Sequence, residues 1–367
     1  MSYDIVIAGL GAVGSAAAYH LAGRGLRVLG LDRYHPPHAL GSSHGGSRVI
    51  RETAFEHPRY VPLARLAYDN WRRLERDSGD ALLHVTGVLF VGSAESPLIA
   101  GTLASAREHG IPHEQLEAGD IAHRFPALQR LDEAVGVFEP GGGWLDPERC
   151  VAASLRLAAE RGVSLRFEEA IERWEPDGDG VMVTTARDRY QARRLLLAAG
   201  PWMPELLGGA GGPLSVERQV QHWFTPATAD AARLPIFIRQ VPEGVFYALP
   251  PAGDDIKVAV HHSGAATTPA TVERHVSQGE IERVRALLER YAPALSGKHR
   301  RAAVCLYTNS PDAHFVIDRH PAHPAVVVAS PCSGFGFKFA SAVGEILAAL
   351  LQDRPPGVDL APFRIGR

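Results

Sequence analysis

Three glycines near the start of the chain, Gly9, Gly11 and Gly14, have the GxGxxG spacing found where proteins bind a dinucleotide pyrophosphate. An apolar run, residues 3–8, precedes them and a helical stretch follows. In that context such glycines allow a tight turn, let the backbone approach the phosphates, and let the helix pack closely on the strand. Asp32 ends the next strand, 18 residues after Gly14, where a carboxylate can bind ribose hydroxyls. We therefore predict a bound adenine dinucleotide.

The glycine motif by itself does not distinguish FAD from NAD. Arg33 could meet a 2′-phosphate, but the adjacent Asp32 would oppose that phosphate. An NAD-dependent dehydrogenase and a nucleotide-binding protein without catalytic activity are therefore alternatives at this point.

Several basic side chains could perform chemistry beside such a cofactor. Arg48 and Arg51 lie three residues apart after a Gly-Ser-rich loop, and a guanidinium binds carboxylates in bidentate fashion. Only three of the 38 basic residues are lysines, at positions 257, 298 and 338, so a lysine can mark a place that needs a compact ammonium. Lys257 and His261 share one face of an alternating segment, which predicts His262 on the other face.

The composition restricts the class of protein. The chain has 367 residues, a formal charge of −3 and 46% hydrophobic residues, so we expect a globular protein with no nucleic-acid partner. No apolar run is long enough to span a membrane, and the apolar segment at residues 5–8 is too short for a secretory signal. Three cysteines without a CxxC motif predict a reducing compartment and hence a cytoplasmic protein.

Elements predicted along the chain favour an α/β fold with α+β character. A β-α-β unit ends near residue 32, a helix opens at Asp146-Pro147, strands near 171–175 and 181–185 form a hairpin, and strands alternate over 216–262 with turns at 243–244 and 253–255. We predict a discontinuous Rossmann-like cofactor domain at residues 1–85, 145–215 and 300–367. A mainly antiparallel substrate domain is predicted at 86–144 and 216–299.

Six segments spread over the chain resemble the family of monomeric sarcosine oxidase and N-methyltryptophan oxidase. They occur in family order and comprise PPHALGSSHGGSRVIR at 36–51, Phe246-Tyr247, KVAVH at 257–261, VCLYT at 304–308, HFVID at 314–318 and SGFGFK at 333–338. The resemblance implies a glycine-oxidase-like flavoprotein, with FAD as the dinucleotide and an inserted substrate domain.

The resemblance also implies roles for single residues around the flavin. It implies a thioether between Cys305 and the flavin, whereas Cys150 and Cys332 match no such motif and are expected to be structural. Arg48 is expected near the flavin, and Lys257 is expected to promote oxygen reduction. The remaining cofactor contacts are assigned to Ser42, Ser47, Gly334, Gly336 and Lys338.

For the substrate, the resemblance implies a carboxylate held by Arg51 and Lys338, and an amine polarised or deprotonated by His261. Tyr247 and Tyr307 are expected to orient the substrate through their hydroxyls. The sequence departs from the family pattern at Phe335, where a histidine is usual, and at residues 43–47. Phe335 would make the pocket more apolar and puts sarcosine itself in doubt as the best substrate.

The predicted activity is therefore oxidation of a secondary amino acid, with transfer of a hydride to FAD, hydrolysis of the imine and reduction of O2 to hydrogen peroxide. We expect a monomer with a small-molecule substrate and no membrane partner. The alternatives within the same fold are oxidation of a cyclic imino acid or a glycated amino acid, and an amine dehydrogenase that uses an acceptor other than oxygen. A flavin hydroxylase is disfavoured because residues 333–338 do not supply its Gly-Asp-Ala-type segment.

Overall fold

The computed structural model describes residues 2–208, 212–249 and 255–367, so residues 253 and 254 of one predicted turn lie outside the described residues. Eight α-helices occur in this described part of the chain. In chain order they are α1 Ala12–Leu21, α2 Val61–Ser78, α3 Pro97–His109, α4 Ala118–Arg124, α5 Pro147–Glu160, α6 Met203–Leu207, α7 Gln278–Tyr291 and α8 Ala340–Leu350. The predicted cap of α5 is confirmed, because the side chain of Asp146 accepts a hydrogen bond from Arg149 N.

Twenty strands occur in the same described ranges. In chain order they are β1 Ser2–Ala8, β2 Val28–Leu31, β3 Arg48–Ile50, β4 Leu83–Val85, β5 Val88–Ser93, β6 Glu114–Leu116, β7 Ala134–Glu139, β8 Gly143–Leu145, β9 Ser164–Arg166, β10 Ile171–Asp177, β11 Gly180–Thr185, β12 Arg189–Leu197, β13 Ser215–Phe224, β14 Ile236–Val241, β15 Gly244–Leu249, β16 Ile256–His261, β17 Ala266–Thr267, β18 His299–Asn309, β19 Val316–His320 and β20 His323–Ser330.

The first of three sheets has a parallel centre. Strands β9, β2, β1, β12 and β20 run parallel in that spatial order. The predicted hairpin β10–β11 pairs with the first half of β12, and β19 pairs antiparallel with β20. Helix α1 packs on this sheet between α5 and α8. The prediction of a Rossmann-like layer is confirmed, and the carboxyl ends of its five parallel strands meet at one edge.

The second sheet has nine strands and is mainly antiparallel. Its order is β17-β13-β16-β15-β14-β5-β7-β6, with β18 paired to β13, and only the β14–β5 pair is parallel. A small third sheet, β3-β8-β4, lies in the segments that connect the two large ones. The α/β architecture with an inserted, mainly antiparallel sheet therefore agrees with the predicted fold class.

The proposed division into domains stays a prediction, with one change in strand assignment. Strand β18 is hydrogen-bonded to β13 along its length, from Ser215 opposite Asn309 to Phe224 opposite His299. Residues 300–309 therefore belong to the nine-stranded sheet, although the predicted boundary placed them with the cofactor segments. The pairing partner of an apolar strand depends on long-range packing, which its own sequence does not reveal.

Two glycines of the GxGxxG motif are required by close contact. Gly9 has a φ of +90°, and a Cβ on it would lie 2.7 Å from the carbonyl oxygen of Ala198. A Cβ on Gly14 would lie 1.8 Å from the carbonyl oxygen of Gly9. The tight turn and the close helix packing predicted for these glycines are both present.

In the part of the chain that the structure describes, no helix combines the length and the apolar character needed to cross a membrane.

Candidate active site

A cavity of about 150 Å³ opens at the carboxyl ends of β1, β2, β12 and β20. Its walls include Gly9, Gly11, Asp32 and Arg33, and therefore most of the predicted dinucleotide contacts. Helix α1 begins in this wall after Gly11, which has no side chain, and Ser43 Oγ accepts a hydrogen bond from Ala12 N at 3.1 Å. Backbone N–H groups and the positive end of the helix dipole thus face the cavity, as pyrophosphate binding requires.

Asp32 organises the glycine loop as well as facing the cavity. Its Oδ2 accepts a hydrogen bond from Leu10 N at 2.7 Å, and its Oδ1 accepts one from Tyr34 N at 2.8 Å. Arg33 is half exposed, its guanidinium lies 5.7 Å from the ring centre of Trp202, and it pairs loosely with Glu205 at 3.7 Å. Asp32 is therefore held rigidly, whereas Arg33 lies at the solvent side of the cavity.

A second cavity, of about 140 Å³, lies between the nine-stranded sheet and the loops at 42–56 and 332–338. It meets the first cavity at Ser42, Cys332 and Phe337, which line both. Apart from the glycine-motif residues, Asp32 and Arg33, every predicted site residue lines this second cavity: Ser42, Ser47, Arg48, Arg51, Tyr247, Lys257, His261, Cys305, Tyr307, Gly334, Gly336 and Lys338. An extended ligand can thus span both cavities, and Cys332 lies at their junction rather than away from the site.

Strand register explains why the residues from the sheet face one cavity. Lys257 and His261 are four residues apart on β16 and therefore share one face of the strand, and both line the cavity. Tyr247 is opposite Ala259 on the neighbouring strand β15. Cys305 is opposite Gln219 in the β13–β18 pair.

The buried thiol of Cys305 lies beside a fixed cation. Nη2 of Arg48 is 3.8 Å from the Cys305 sulfur and also donates to the carbonyl oxygen of Ser42 at 2.8 Å. The other guanidinium nitrogen, Nη1, donates to Ser47 O at 2.8 Å. Arg48 therefore lies next to Cys305 in the second cavity, and its predicted place near the flavin stays a prediction.

Two buried cations share one carboxylate at another side of the cavity. Arg51 and Lys338 are only 3% and 4% exposed. The Oε1 atom of Glu56 lies 2.7 Å from Nη2 of Arg51 and 3.9 Å from Nζ of Lys338. Burial, followed by the charge of Arg51, lowers the pKa of Lys338 to about 7. Burial alone would raise the pKa of Glu56, but the charges of Arg51 and Lys338 hold it below its usual value.

Lys257 is a third buried cation, 3% exposed. Its Nζ donates a hydrogen bond to the carbonyl oxygen of Ser47 at 2.6 Å. Burial, reinforced by the charge of Arg48, lowers the pKa of Lys257 well below its usual value. A negative charge that develops beside Lys257 would be stabilised strongly, because little water screens it.

His261 is half-buried against Tyr307, with 3.3 Å between Nδ1 and the tyrosine hydroxyl. Burial, followed by the charge of His262, lowers the pKa of His261 to about 4, so the imidazole is neutral at pH 7. The prediction that His262 faces away is wrong. Strand β16 ends at His261, and a φ of +51° at His262 turns its ring to within 4.2 Å of the His261 ring. Glu217 holds His262 there through a contact of 3.0 Å.

Phe335 belongs to an aromatic cluster that forms one wall of the cavity. Its ring stacks on Phe315 at 4.9 Å and meets the edge of Tyr60 at 5.2 Å. The ammonium of Lys338 lies 5.1 Å from the centre of the Phe335 ring and donates to the Phe335 carbonyl oxygen at 3.2 Å. The predicted apolar wall at this position is therefore present, and a cation lies against it.

The two cavities have the chemical character that a flavin dinucleotide needs. Gln221 Oε1 and Thr308 Oγ1 are buried polar atoms without a hydrogen-bond partner among the described residues, and both residues line the second cavity. Buried polar atoms are normally hydrogen-bonded, so a polar bound group is expected beside them. Together with the N-terminus of α1 and Asp32 in the first cavity, these residues fit FAD.

Comparisons with known proteins agree with this architecture. Residues 4–350 match the family described as FAD dependent oxidoreductase, which is the class that the two joined cavities define. The chain is 44% identical over 358 residues to a monomeric sarcosine oxidase from Streptomyces avermitilis, covering 95% of this chain and 93% of that protein. It is 34% identical to an N-methyl-L-tryptophan oxidase from Citrobacter koseri, covering 100% of this chain and 99% of that protein. This chain belongs to the monomeric sarcosine oxidase and N-methyl-L-tryptophan oxidase family.

Among solved structures, NikD is described as an unusual amino acid oxidase essential for nikkomycin biosynthesis. It superposes with a TM-score of 0.86 at 27% identity, covering 99% of this chain and 97% of NikD. The chain is therefore an FAD-dependent oxidoreductase, and the NAD alternative is set aside.

Sequence reasoning missed two residues that line the second cavity, Glu56 and Gln221. Glu56 has no local signal beyond its place five residues after Arg51, and Gln221 lies in an ordinary strand pattern. The fold brings Gln221 against Gly45, where a Cβ would lie 2.0 Å from Gln221 Oε1, and the sequence does not reveal this neighbour. His262 does not line the cavity, but it contacts His261 because strand alternation ends with β16.

Gly334 allows a test of the His261–Tyr307 arrangement. A Cβ on Gly334 would lie 2.5 Å from His261 Cε1 and 2.6 Å from Tyr307 Cε2. We expect Gly334→Ala to displace both side chains and to lower kcat/KM by about 100-fold, the loss typical of a 1 Å misplacement. Gly357→Ala is the matched control, because its φ of +76° resembles the +82° of Gly334 but no atom lies within 4 Å. Equal kcat/KM values for the two variants would contradict this account of the site.

Proposed function

We propose that this enzyme oxidises N-methyl α-amino acids at the expense of O2 and produces hydrogen peroxide. The observation that carries the proposal is that Arg51 and Lys338 both contact one carboxylate oxygen, Oε1 of Glu56. The same pair can bind the carboxylate of an amino acid, with the guanidinium fork as the stronger partner. The two relatives act, by their names, on sarcosine and on N-methyl-L-tryptophan, both of which carry a carboxylate next to a secondary amine.

FAD is held, in this proposal, by Gly9, Gly11 and Asp32 in the first cavity and by Arg48 and Cys305 in the second. When bound, FAD supplies an acceptor for two electrons from the substrate C–H bond and returns them to oxygen. The thiol of Cys305 would form a thioether with the flavin 8-methyl carbon, losing its proton and one methyl hydrogen while the two electrons pass to the flavin and from it to O2, and the Arg48 guanidinium lies 3.8 Å from the sulfur.

The protein's own contribution begins with orientation. Carboxylate binding at Arg51 and Lys338 places the α-substituents toward the sheet side of the cavity, where His261 and Tyr307 lie. Fixed orientation of a donor C–H bond supplies a large part of the rate of such reactions. The hydroxyls of Tyr247 and Tyr307 remain protonated, because burial raises the pKa of both.

His261 orients and polarises the amine. With a pKa of about 4 its imidazole is neutral at physiological pH, so it accepts a hydrogen bond from the amine N–H and favours the neutral amine, which is the form that reacts. The imine product then hydrolyses in water to an aldehyde and a primary amine when the N-methyl carbon is oxidised. Lys257, on the same face of β16, stabilises the negative charge that develops on oxygen during its reduction.

The apolar wall around Phe335 favours substrates larger or less polar than sarcosine. Cyclic imino acids and glycated amino acids share the carboxylate and the secondary amine, so they are the second candidates for this site. An amine dehydrogenase with an acceptor other than oxygen would bind the substrate carboxylate through the same Arg51 and Lys338, but it would not need Lys257 to promote oxygen reduction.

A cytoplasmic location and a monomeric state complete the proposal. Three unpaired cysteines in the described chain support the location, and the word monomeric in the name of the sarcosine oxidase relative supports the oligomeric state.

Substrate class is tested by supplying N-methyl amino acids to the aerated holoenzyme. We expect stoichiometric hydrogen peroxide and aldehyde from N-methyl amino acids, and slower turnover of the corresponding N-methyl amines that lack the carboxylate, because Arg51 and Lys338 then have no anion to bind. The measurement is peroxide formation, together with flavin reduction under anaerobic conditions. Flavin reduction without peroxide on readmission of air would favour the dehydrogenase instead.

Covalent attachment is tested by acid precipitation of the purified yellow protein. We expect the flavin to remain in the pellet of the wild type and to move to the supernatant in Cys305→Ser, because the serine hydroxyl is not an adequate nucleophile for the linkage. Cys150→Ser serves as the control, since Cys150 is equally buried but lines neither cavity. Flavin in the supernatant of the wild type would show that Cys305 forms no linkage.

The oxygen role of Lys257 is tested by following flavin reoxidation in a stopped-flow instrument. We expect Lys257→Met to slow reoxidation by about 100-fold, the usual loss when one preorganised charged partner is removed, with a smaller effect on flavin reduction. Lys298→Met is the control, because Lys298 is an exposed lysine outside both cavities. Reoxidation of Lys257→Met at the wild-type rate would assign oxygen activation to another group.

A further inference from the structure

Glu139 is a buried carboxylate that the proposed mechanism leaves without a role. It ends strand β7 and is only 1% exposed. Within the described part of the chain, none of the ion pairs includes Glu139. Burying a carboxylate without an ion-pair partner is costly, so such a group is retained where its hydrogen bonds hold something in place.

The hydrogen bonds of Glu139 go to the two residues that follow Arg51. Glu139 Oε1 accepts from Glu52 N at 2.7 Å. Its Oε2 accepts from Thr53 N at 3.2 Å and from the Thr53 hydroxyl. One carboxylate thus fixes the direction of two successive peptide groups, and helix α3 holds the next one through Ser105, whose Oγ accepts from Ala54 N at 3.0 Å.

Thr53 connects Glu139 to Arg51, one of the two residues proposed to bind the substrate carboxylate. While the N–H and hydroxyl of Thr53 face Glu139, its carbonyl oxygen accepts a hydrogen bond from Nη1 of Arg51. The guanidinium is also packed over the ring of Phe55, 4.4 Å from the ring centre. Arg51 is therefore oriented by a short segment whose own orientation depends on Glu139.

Glu139 also acts through its charge. Its negative charge raises the pKa of Lys338, although the larger effects of burial and of Arg51 lower that pKa to about 7. Removing the charge of Glu139 would lower the pKa of Lys338 further, because the repulsion from the Arg51 guanidinium would be less compensated. Both partners of the carboxylate clamp thus depend on Glu139, one through geometry and one through electrostatics.

We propose that Glu139 is a positioning residue for recognition of the substrate carboxylate, acting through Thr53 on Arg51. The proposal rests on the proposed function in one respect, because it takes Arg51 and Lys338 as the carboxylate ligands. Bidentate binding depends on the plane of the guanidinium, so loss of Glu139 weakens the preference for a carboxylate over a neutral group of the same shape. Substrates or ligands without that negative charge are affected little.

The test compares N-methylglycine with N-methylglycinamide, in which a neutral amide of similar shape replaces the carboxylate, as ligands of the holoenzyme. Dissociation constants are measured from changes in flavin absorbance, and KM and kcat from flavin reduction where turnover occurs. We expect Glu139→Gln to reduce the preference for the acid over the amide by at least about 10-fold, the effect of a lost hydrogen bond to a charged group. The change should appear in KM for the acid, with kcat altered less than about 3-fold.

Glu75→Gln is the matched control for a purely structural effect. Glu75 Oε1 also accepts hydrogen bonds from two successive backbone amides, Leu82 N at 2.8 Å and Leu83 N at 2.9 Å, but the residue lines neither cavity. This variant should lose stability without changing the preference for the acid. Thr53→Val is the second variant, for use if Glu139→Gln does not fold. It keeps the hydrogen bond from Thr53 N and removes only the one from the hydroxyl, so we expect a smaller loss of the preference for the acid.

Two results separate failure of this proposal from failure of the proposed function. If the wild type itself binds the acid and the amide equally, the carboxylate clamp is wrong. If the wild type prefers the acid and both the Glu139 and the Thr53 variants keep that preference in full, the clamp stands and Glu139 has no positioning role.

Discussion

The organisation of the site depends on the burial of two like charges in one cavity wall. Arg51 and Lys338 are both almost completely buried, and cations removed from water lose hydration and repel each other. Glu56 lies between them and compensates part of this cost. The negative charge of Glu139 also favours the charged form of Lys338. Its hydrogen bonds fix the segment that follows Arg51. The carboxylates therefore make a dense cationic site compatible with a folded protein.

The nine-stranded sheet supplies the opposite side of the site. Because side chains alternate along a strand, Lys257 and His261 on β16 face the same cavity as Cys305 and Tyr307 on β18. These two strands are both paired with β13, one at each edge, so the four side chains are held by a common backbone frame. An amino group, a neutral imidazole and a thiol are thereby fixed relative to one another without a flexible connection.

Close contacts at glycines shape the dinucleotide layer and the second cavity. Gly14 packs on the carbonyl oxygen of Gly9 at the start of α1, and Gly334 packs on His261 and Tyr307 in the second cavity. At each of these positions a side chain would displace the atoms that the glycine contacts. Glycine therefore serves the same physical purpose at both ends of the joined cavities, which is to let the backbone lie within contact distance of functional atoms.

The sequence alone determined the features that depend on local pattern. Glycine spacing predicted the turn before α1, Asp146-Pro147 predicted the start of α5, and alternation placed Lys257 and His261 on one face. Tertiary structure decided the sheet to which β18 belongs, the insertion of Glu56 between two cations, and the return of His262 against His261. The reason is physical: helix caps and strand alternation arise from neighbouring residues, whereas strand partners and buried ion pairs arise from packing between distant segments.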